Sequence, residues 1–413
     1  MLSRRDVMRG AVAAAGSAWL PLAGARVFAR ADDVPPTPLR GGEILPSPDF
    51  ARLRGSARFV ARVRPHRRGG IRLALEPEIH SAHGTKFLIH NYGHGGAGIT
   101  LSFGCASVVR EHVATVLAEM RGTRMRPSVA VLGCGVAGLT VAAELRRAWP
   151  RLPVTIYAKS RDVTTTTSFF AGGQFAPSQI GYEYAVSDRP ILDDYLRRSA
   201  ARIREIENSG RQLHYGIVWR KNYTLARGDP SFDKFTPRDV VPAFASGTLP
   251  FRHFNAPGRE YSTWLLNPRI LLPRLMADLT RNGVRTEARE FRDRQEVERL
   301  RETIIVNCTG YGARALFDDP AIVPRRGHLV ALRNSARLKY LFSGGCRNNV
   351  IAYLFARQGD IVVGGTVRND ERDYFDRTDP ADAAICNQLV DNMQRAFDGH
   401  ADECTDPADA LRA

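Results

Sequence analysis

Two glycine-rich turns in this sequence have the residue types and spacing that hold a negatively charged ligand. The first turn, residues 91–98 (NYGHGGAG), follows the apolar run 87–89 and precedes a stretch, 99–120, whose apolar residues recur at helical spacing. Strand, glycine turn and helix in this order bring backbone N–H groups to an anion at the positive end of a helix. A tight connection without any ligand is the alternative, since glycine also marks ordinary chain reversals.

The second turn predicts a dinucleotide site more specifically. Residues 133–138 read GCGVAG, a G-x-G-x-x-G pattern between a short apolar strand and a predicted helix. Gly133 allows the tight turn, Gly135 admits a pyrophosphate, and Gly138 lets helix and strand pack closely. An acidic residue that would bind the ribose is expected about twenty residues later. The sequence has AKSR at 158–161 instead, which suits a ribose 2′-phosphate, as in an NADP-dependent reductase, or a cofactor held in another way.

Length and composition predict a globular protein of two domains. The chain has 413 residues, and its formal net charge of +16 comes mostly from arginine. Such a charge is compatible with a nucleic acid, a membrane surface or an acidic ligand. The sequence contains no nucleic-acid module and no basic run interleaved with aromatic residues, so we interpret the charge as a solvated arginine-rich surface and expect no nucleic-acid partner.

Six segments of the chain resemble the D-amino-acid oxidases, FAD enzymes with a Rossmann-like nucleotide-binding domain and a β-rich substrate domain. The segments are RVRPHRRGGIRLALE from Arg62, IHNYGHGGAGIT from Ile89, VAVLGCGVAGL from Val129, YAKSRDVTTTTSFFAGGQFAP from Tyr157, IIVNCTGYGARAL from Ile304 and RRGHLVAL from Arg325. The resemblance therefore implies an α/β fold with a central parallel sheet, FAD as cofactor, and oxidoreductase activity.

The order of these segments differs from the family. Residues 62–120, which close the chain in the family, here precede the nucleotide motif, and a circular permutation is the simplest account. The resemblance then places the FAD-binding domain at 65–180 and 258–322, with the substrate domain at 51–64, 181–257 and 323–413. We predict that the helix at 191–206 belongs to the substrate domain and that 261–279 returns to the nucleotide domain.

The resemblance assigns the cofactor contacts to backbone and hydroxyl groups around the turns. Threonines after the second strand would reach the ribose and phosphate in place of the missing carboxylate. The implied FAD-binding residues are Gly95, Gly96, Ala97, Gly98, Ile99, Thr100, Gly133, Gly135, Val136, Ala137, Gly138, Thr165, Thr166, Thr167, Ala171, Gly172, Thr309 and Gly310.

The implied catalytic residues are Arg64, Tyr353 and Gly96. Arg64 matches the family arginine that binds the substrate carboxylate through its planar fork, and Tyr353 matches a tyrosine that contacts the same group. The family's second, mobile tyrosine would fall at Asn349, so this match fails. Gly96, at the start of the 99–120 helix, would help to stabilise negative charge on the flavin.

The implied reaction oxidises a D-amino acid to the imino acid, which hydrolyses to a 2-oxo acid and ammonia. Oxygen, giving hydrogen peroxide, or another electron acceptor would reoxidise the flavin. A glycine or amine oxidase, a dehydrogenase with another acceptor, and an exported flavoprotein that no longer turns over amino acids stay open as alternatives. The oligomeric state is also open, with a homodimer among the arrangements.

The N-terminus predicts export from the cytoplasm. Arg4 and Arg5 precede the apolar stretch 11–25, and small residues suited to cleavage follow, so residues 1–31 have the layout of a twin-arginine signal. Export machinery of that type would be a partner and the periplasm the destination, with a membrane tether if the signal stays uncleaved. Residues 32–50 are rich in proline and predict a linker.

Cysteines and histidines show no metal-ligand spacing in the sequence. We interpret Cys105, Cys134 and Cys308 as small apolar fillers. A disulfide between two of Cys346, Cys386 and Cys404 would suit the periplasm, but the spacing does not select a pair. We interpret His90 and His94 as residues that order the first glycine turn.

Overall fold

The computed structural model describes residues 37–38, 43–81, 84–225, 234–241, 244–254, 257–344, 346 and 352–406. The predicted signal at 1–31 and the position of Asn349 lie outside these residues. The strands are β1 (Thr37–Pro38), β2 (Arg58–Arg67), β3 (Arg72–Leu75), β4 (Ile79–Ser81), β5 (Gly84–Tyr92), β6 (Val129–Leu132), β7 (Val154–Ala158), β8 (Ile217–Leu225), β9 (Ala245–Thr248), β10 (Pro257–Leu266), β11 (Arg285–Ala288), β12 (Ile304–Asn307), β13 (Ile322–Arg333), β14 (Leu341–Ser343), β15 (Tyr353–Ala356) and β16 (Asp360–Gly364).

Short 3₁₀ turns and α-helices connect these strands. The helices are α1 (Phe50–Leu53), α2 (Gly98–Glu119), α3 (Val136–Ala148), α4 (Arg189–Asn208), α5 (Pro268–Arg281), α6 (Arg294–Glu298), α7 (Ala313–Leu316) and α8 (Pro380–Phe397).

The first sheet is parallel at its centre. Its order is β11-β7-β6-β12-β5-β3, in which β3 alone runs antiparallel to its neighbour, and β4 pairs with β5. Every residue of β6, β7 and β12 is buried. Uniformly apolar strands are typical of a parallel sheet covered on both faces, so the predicted nucleotide-binding sheet is confirmed.

Helices α2 and α3 lie side by side with their first residues together. A Cβ on Gly98 would lie 3.8 Å from Val136 Cγ1, and one turn further along Thr140 Oγ1 donates to the Ser102 carbonyl at 3.1 Å. Four residues further along α2 the contact lies four residues further along α3, so the two helices run parallel. Their positive ends therefore point to the same side of the sheet, which favours a negatively charged ligand there.

The second sheet carries most of the remaining strands, in the order β1-β9-β10-β8-β14-β15-β16-β13-β2. The predicted hairpin of β15 and β16 is confirmed, with Tyr353 opposite Gly364. The longest strand, β13, pairs with β2 over ten residues. A nucleotide-binding sheet with helices and a separate β-rich unit confirm the predicted α/β fold class.

Three segments lie elsewhere than the sequence suggests. Helix α4, which we assigned to the substrate domain, packs on α2, where the Gly104 N–H donates to Ser199 Oγ at 2.8 Å. Strand β10 belongs to the second sheet, whereas α5 packs on α3. The segment predicted as a linker adds β1 to that sheet, and Tyr340 donates its hydroxyl to the Pro46 carbonyl at 2.8 Å.

Buried polar contacts and a disulfide fasten the C-terminal helix to the second sheet. Arg326 on β13 and Asp382 on α8 are both fully buried and form a bidentate ion pair. His328 Nε2 lies 2.9 Å from the same carboxylate. Cys346 is bonded to Cys404, and Cys386 is a buried free thiol. Within the described ranges, no helix has the length and apolar character to span a membrane, and no histidine, cysteine and carboxylate groups cluster to hold a metal.

Candidate active site

The two glycine turns and the turn after β12 meet at the carboxyl edge of the first sheet. Strand β12 lies between β5 and β6, with Asn307 level with His90 on one side and Leu132 on the other. The turns that begin at Gly93, Gly133 and Cys308 therefore leave the sheet next to one another. In a doubly wound sheet this edge is where a dinucleotide binds.

The dinucleotide turn has no room for side chains at its glycines. Gly133 has φ +105°, and a Cβ there would lie 2.6 Å from the Cys308 carbonyl oxygen. A Cβ on Gly138 would lie 2.0 Å from the Gly133 carbonyl oxygen, so only glycine lets α3 approach its own turn. Gly135 precedes α3, and the N–H groups of Val136 and Ala137 belong to its first turn. The tight turn predicted at Gly133 and the close packing predicted at Gly138 agree with these contacts.

One hydroxyl that the sequence did not single out reaches this helix start. The Val136 N–H donates to Ser168 Oγ at 3.1 Å, and a Cβ on Gly135 would lie 3.2 Å from the same oxygen. In contrast, Thr165 and Thr166 donate to the carbonyls of Asp162 and Val163 within their own segment. Thr167 faces Asp373 at 3.4 Å. Ser168, rather than the threonines, is the hydroxyl next to the turn.

The first glycine turn is tied to strand β2. Gly95 has φ +57°, and its N–H donates to the Pro65 carbonyl at 2.8 Å, so this N–H is already used within the protein. A Cβ on Gly96 would lie 3.4 Å from Ser178 Cβ and 3.9 Å from Arg64 Cδ. Gly96 is therefore the residue of the turn that lies next to Arg64, the predicted carboxylate-binding residue.

Helix α2 begins at the end of this turn. Ala97 precedes its first residue, Gly98, and the first turn of a helix leaves N–H groups without intrahelical partners. Thr100 is buried, and its hydroxyl donates to the Ala176 carbonyl at 2.9 Å. Thr100 therefore joins α2 to the 171–176 segment, and its hydroxyl is used in the protein rather than held free for a ligand.

Histidines around the first turn have two different roles. His90 lies within β5, immediately before the turn, is fully buried, and contacts Glu76 Oε1 at 2.7 Å. His94 does lie in the turn. Burial lowers the pKa of His94 to about 4, so that ring is neutral at physiological pH.

Several buried polar atoms at the turn lack a hydrogen bond within the described part of the chain. They include His94 Nε2 and Asn91 Oδ1, whose side chains are at most 5% exposed. Leaving such atoms without a partner costs about 1–3 kcal/mol each. A polar cofactor against the glycines would supply partners, so the residues present fit a bound dinucleotide.

The turn after β12 completes the cradle. Thr309 donates both its N–H, at 3.1 Å, and its hydroxyl, at 2.7 Å, to Asn307 Oδ1. Gly310 has φ +60° and lies against Pro65, since a Cβ there would be 3.7 Å from Pro65 Cγ. Strand β2 of the second sheet thus crosses the edge of the first sheet between the Gly95 and Gly310 turns.

Arg64 and Tyr353 lie near each other on one face of the second sheet. The Arg64 guanidinium lies over Gly327, where a Cβ would be 2.7 Å from Nη2, and donates from Nε to the Arg325 carbonyl and from Nη2 to the Thr366 carbonyl. The Tyr353 hydroxyl lies over Gly364, where a Cβ would be 2.3 Å from it. Two glycines on neighbouring strands therefore make the space that these side chains occupy.

The electrostatics of this pair favour an anionic ligand. Burial lowers the pKa of Arg64, while interaction with Tyr353 acts in the opposite direction and Arg325 adds to the lowering. Burial raises the pKa of Tyr353, and Arg64 opposes part of that rise. The phenol therefore stays protonated and can donate, and the guanidinium stays charged because its usual pKa is far above neutral.

The segment predicted to bring backbone to a flat ligand joins the two sheets. A Cβ on Gly172 would lie 2.8 Å from the Phe355 ring, which stacks on Tyr353 with ring centres 4.5 Å apart. The Ala171 carbonyl accepts from Arg357 Nη1 at 2.8 Å. Ala171 and Gly172 therefore pack on the strand that carries Tyr353.

Comparison with known proteins gives the family. The sequence profile of the DAO family, described as FAD dependent oxidoreductase, matches residues 128–412. D-amino-acid oxidase from Streptomyces coelicolor is 29% identical over 255 residues, covering 59% of this chain and 70% of the relative. Human D-aspartate oxidase is 26% identical over 250 residues, covering 58% of this chain and 68% of the relative.

A solved structure is also similar to part of this chain. Glycine oxidase from Geobacillus kaustophilus superposes with a TM-score of 0.47 at 17% identity, covering 69% of this chain and 79% of that one. The dinucleotide cradle built here and the extent of the profile match lead to one assignment. This chain belongs to the DAO family of FAD-dependent oxidoreductases, and FAD is its cofactor.

Proposed function

We propose that this protein catalyses the oxidative deamination of D-amino acids to 2-oxo acids and ammonia. The observation that carries the proposal is the placement of Arg64 and Tyr353 on one face of the second sheet, with Arg64 beside Gly96 of the first glycine turn. A fixed guanidinium and a protonated phenol form a site for a carboxylate. The relatives named D-amino-acid oxidase and D-aspartate oxidase support the same substrate class.

The chain's own residues bind and orient the substrate. Because Nε and Nη2 of Arg64 are held by carbonyls, the guanidinium has one orientation, and no described residue is hydrogen-bonded to its Nη1. The Tyr353 hydroxyl would donate to the same carboxylate. Holding the carboxylate at two points fixes the Cα hydrogen relative to the cofactor turn, which is an orientation effect on rate.

Bound FAD would supply the redox chemistry, as the acceptor of two electrons and a hydrogen from the substrate carbon. The positive ends of α2 and α3 favour the negative charge of the cofactor's phosphates. The substrate also loses a proton, and water then releases ammonia from the imino acid. Oxygen or another acceptor takes the electrons afterwards, with hydrogen peroxide as product if the acceptor is oxygen.

An anaerobic spectrum of the purified protein tests this function. Flavin absorption should bleach on addition of mixed D-amino acids and persist with the L-enantiomers. Bleaching by glycine or a secondary amine alone would replace the proposed substrate by that of an amine oxidase. Flavin bands that no amine bleaches would overturn the substrate proposal and leave the cofactor in place.

We propose further that the motif order reflects a circular permutation. Strand β5 and its glycine turn come before the dinucleotide motif in the chain, yet β5 pairs with β12 in the middle of the first sheet. The family profile begins at residue 128, after this segment. A variant chain in which residues 55–122 follow the C-terminus should still bind FAD, and loss of binding with retained folding would contradict the permutation.

We also propose export to the periplasm through the twin-arginine route. The Cys346–Cys404 disulfide supports this proposal, because such bonds persist in oxidising compartments. Replacing Arg4 and Arg5 by lysine should retain the protein in the cytoplasm, as seen by fractionation. Equal export of the wild type and this variant would reject the route.

A further inference from the structure

His66 is a buried imidazole beside the first glycine turn that the proposed reaction does not use. It lies on β2 two residues after Arg64, so both side chains leave the same face of the strand. The side chain is 3% exposed. Its Nδ1 would be 2.9 Å from a Cβ on Gly95, and the antiparallel bridge between His66 and His94 fixes the backbone at this point.

Glu183 holds the other side of the ring. His66 Nε2 lies 2.7 Å from Glu183 Oε1, and Glu183 Oε2 accepts the Gly69 N–H at 3.0 Å. Because a carboxylate only accepts hydrogen bonds, Nε2 carries a hydrogen. Nδ1 then faces the turn and has no hydrogen-bond partner in the described part of the chain.

Other ionisable side chains also lie around the turn. His94 is neutral because burial lowers its pKa to about 4. Arg64 lies beside Gly96, and Arg67, whose Cβ faces Gly93, is paired with Asp319 at 2.9 Å. Tyr184 lies over Gly70, and burial holds its pKa well above the usual range. The His66–Glu183 pair is thus the hydrogen-bonded side-chain pair next to Gly95.

We propose that His66 contacts the bound flavin through Nδ1 and that Glu183 is the positioning residue that aims it. Bound FAD would carry an additional negative charge in its hydride-reduced form. A His66 ring that carries hydrogens on both nitrogens would donate from Nδ1 toward that charge while its Nε2–H donates to the Glu183 carboxylate. The pair therefore favours the reduced cofactor over the oxidised one, beyond what the helix ends contribute.

The test compares the oxidised and reduced states of the flavin without any amino acid. In His66→Leu we expect the dissociation constant of the flavin–sulfite adduct to rise at least tenfold. The equilibrium constant for two-electron reduction should fall by a similar factor, which corresponds to about 30 mV. Glu183→Gln should change both quantities in the same direction by a smaller amount. A purely structural role would weaken oxidised FAD binding and leave the potential unchanged.

Two further variants keep the test decisive. His80→Leu removes a histidine from a surface pair with Glu78, at 3.8 Å, and should leave both quantities at the wild-type values. If His66→Leu does not retain FAD, the same two quantities are measured in His66→Asn and Glu183→Gln. Asparagine fills much of the space of the imidazole and carries no charge. Wild-type potential and sulfite affinity in these variants would overturn the proposal. The inference rests on FAD as cofactor and is independent of the proposed substrate, because no measurement includes an amino acid.

Discussion

Asn307 Nδ2 lies 3.1 Å from His90 Nδ1, on adjacent parallel strands of the first sheet. Since Asn307 Oδ1 accepts from both Thr309 groups, the amide nitrogen must face the imidazole. His90 Nδ1 is therefore the acceptor, and Nε2–H donates to Glu76. One chain of hydrogen bonds fixes a neutral histidine tautomer and holds the turn after β12.

Asn307→Asp replaces the donor to His90 by a carboxylate of the same shape. Two acceptors would then face each other in a fully buried site, and we expect the free energy of unfolding to fall by about 1–3 kcal/mol. Urea unfolding at neutral pH measures this loss. FAD affinity should fall as well, because Thr309 depends on the same network, and a variant as stable as the wild type would contradict the assigned tautomer.

Arg64→Ala should raise KM strongly and lower kcat/KM for D-amino acids. A hydrogen bond to a charged group is worth about 1.5–3 kcal/mol, which corresponds to roughly 10- to 150-fold. Steady-state kinetics measure the effect, and the FAD content should stay near that of the wild type. Arg58→Ala, an exposed arginine on the same strand, is the matched control. Unchanged kinetics in Arg64→Ala would remove Arg64 from the substrate site.

Gly364→Ala tests the space under Tyr353. The new Cβ would lie 2.3 Å from the Tyr353 hydroxyl and 2.6 Å from Leu329 Cδ2, so the phenol must move. We expect a loss of kcat/KM comparable to Tyr353→Phe, with FAD retained. Gly55→Ala, where nothing lies within 4 Å of the new atom, should have wild-type kinetics. Wild-type kinetics in Gly364→Ala would show that kcat/KM does not depend on the position of the Tyr353 hydroxyl.

Asp382→Asn should destabilise the protein by about 3–5 kcal/mol, because the buried Arg326 loses its bidentate carboxylate and keeps, among the described residues, only Asp370, at 3.4 Å, as an acidic neighbour. Burial alone would raise the pKa of Asp382, but hydrogen bonds from Arg326 and His328 hold it well below its usual range. The carboxylate therefore contributes stability above the unfolded pKa of about 3.9, and this is lost as pH falls toward the folded pKa.

Denaturant unfolding from pH 7 down to acid conditions measures the Asp382 effect. The wild type should lose its advantage over Asp382→Asn below about pH 4, in line with the unfolded pKa. Asp391→Asn removes the partner of Arg54 in a half-exposed ion pair and should cost at most about 1 kcal/mol. An equal loss of unfolding free energy in the two variants would show that burial of the Arg326–Asp382 pair does not determine its contribution to stability.

Ser168→Ala should weaken FAD binding about two- to tenfold, as expected for the loss of one hydrogen bond of 0.5–1.5 kcal/mol at the start of α3. Thr165→Val is the matched control, since among the described residues its hydroxyl bonds to the Asp162 carbonyl alone. Fluorescence titration of the apoprotein with FAD measures both. A larger effect at Thr165 would favour the threonines named from the sequence.

The sequence predicts the cofactor edge well because its signals are local. Strand, glycines and helix are consecutive at both turns, so their geometry depends on neighbours in the chain. Ser168 was missed because four threonines precede it and only the packing of that segment decides which hydroxyl faces Val136. The side of the molecule on which α4 packs depends on Gly104, whose close approach to Tyr195 is a contact between distant residues.

The pairing of β5 with β12 sets when this protein can become functional. His90 and Asn307 are 217 positions apart, so the contact closes a long loop and has a high entropic cost. During synthesis β5 can pair with β3 and β4 early, but its other edge has no neighbouring strand until the chain has been made past residue 307. FAD binding is therefore a late event in biogenesis, and a truncated or stalled chain would leave that edge of the apolar strand β5 open to aggregation.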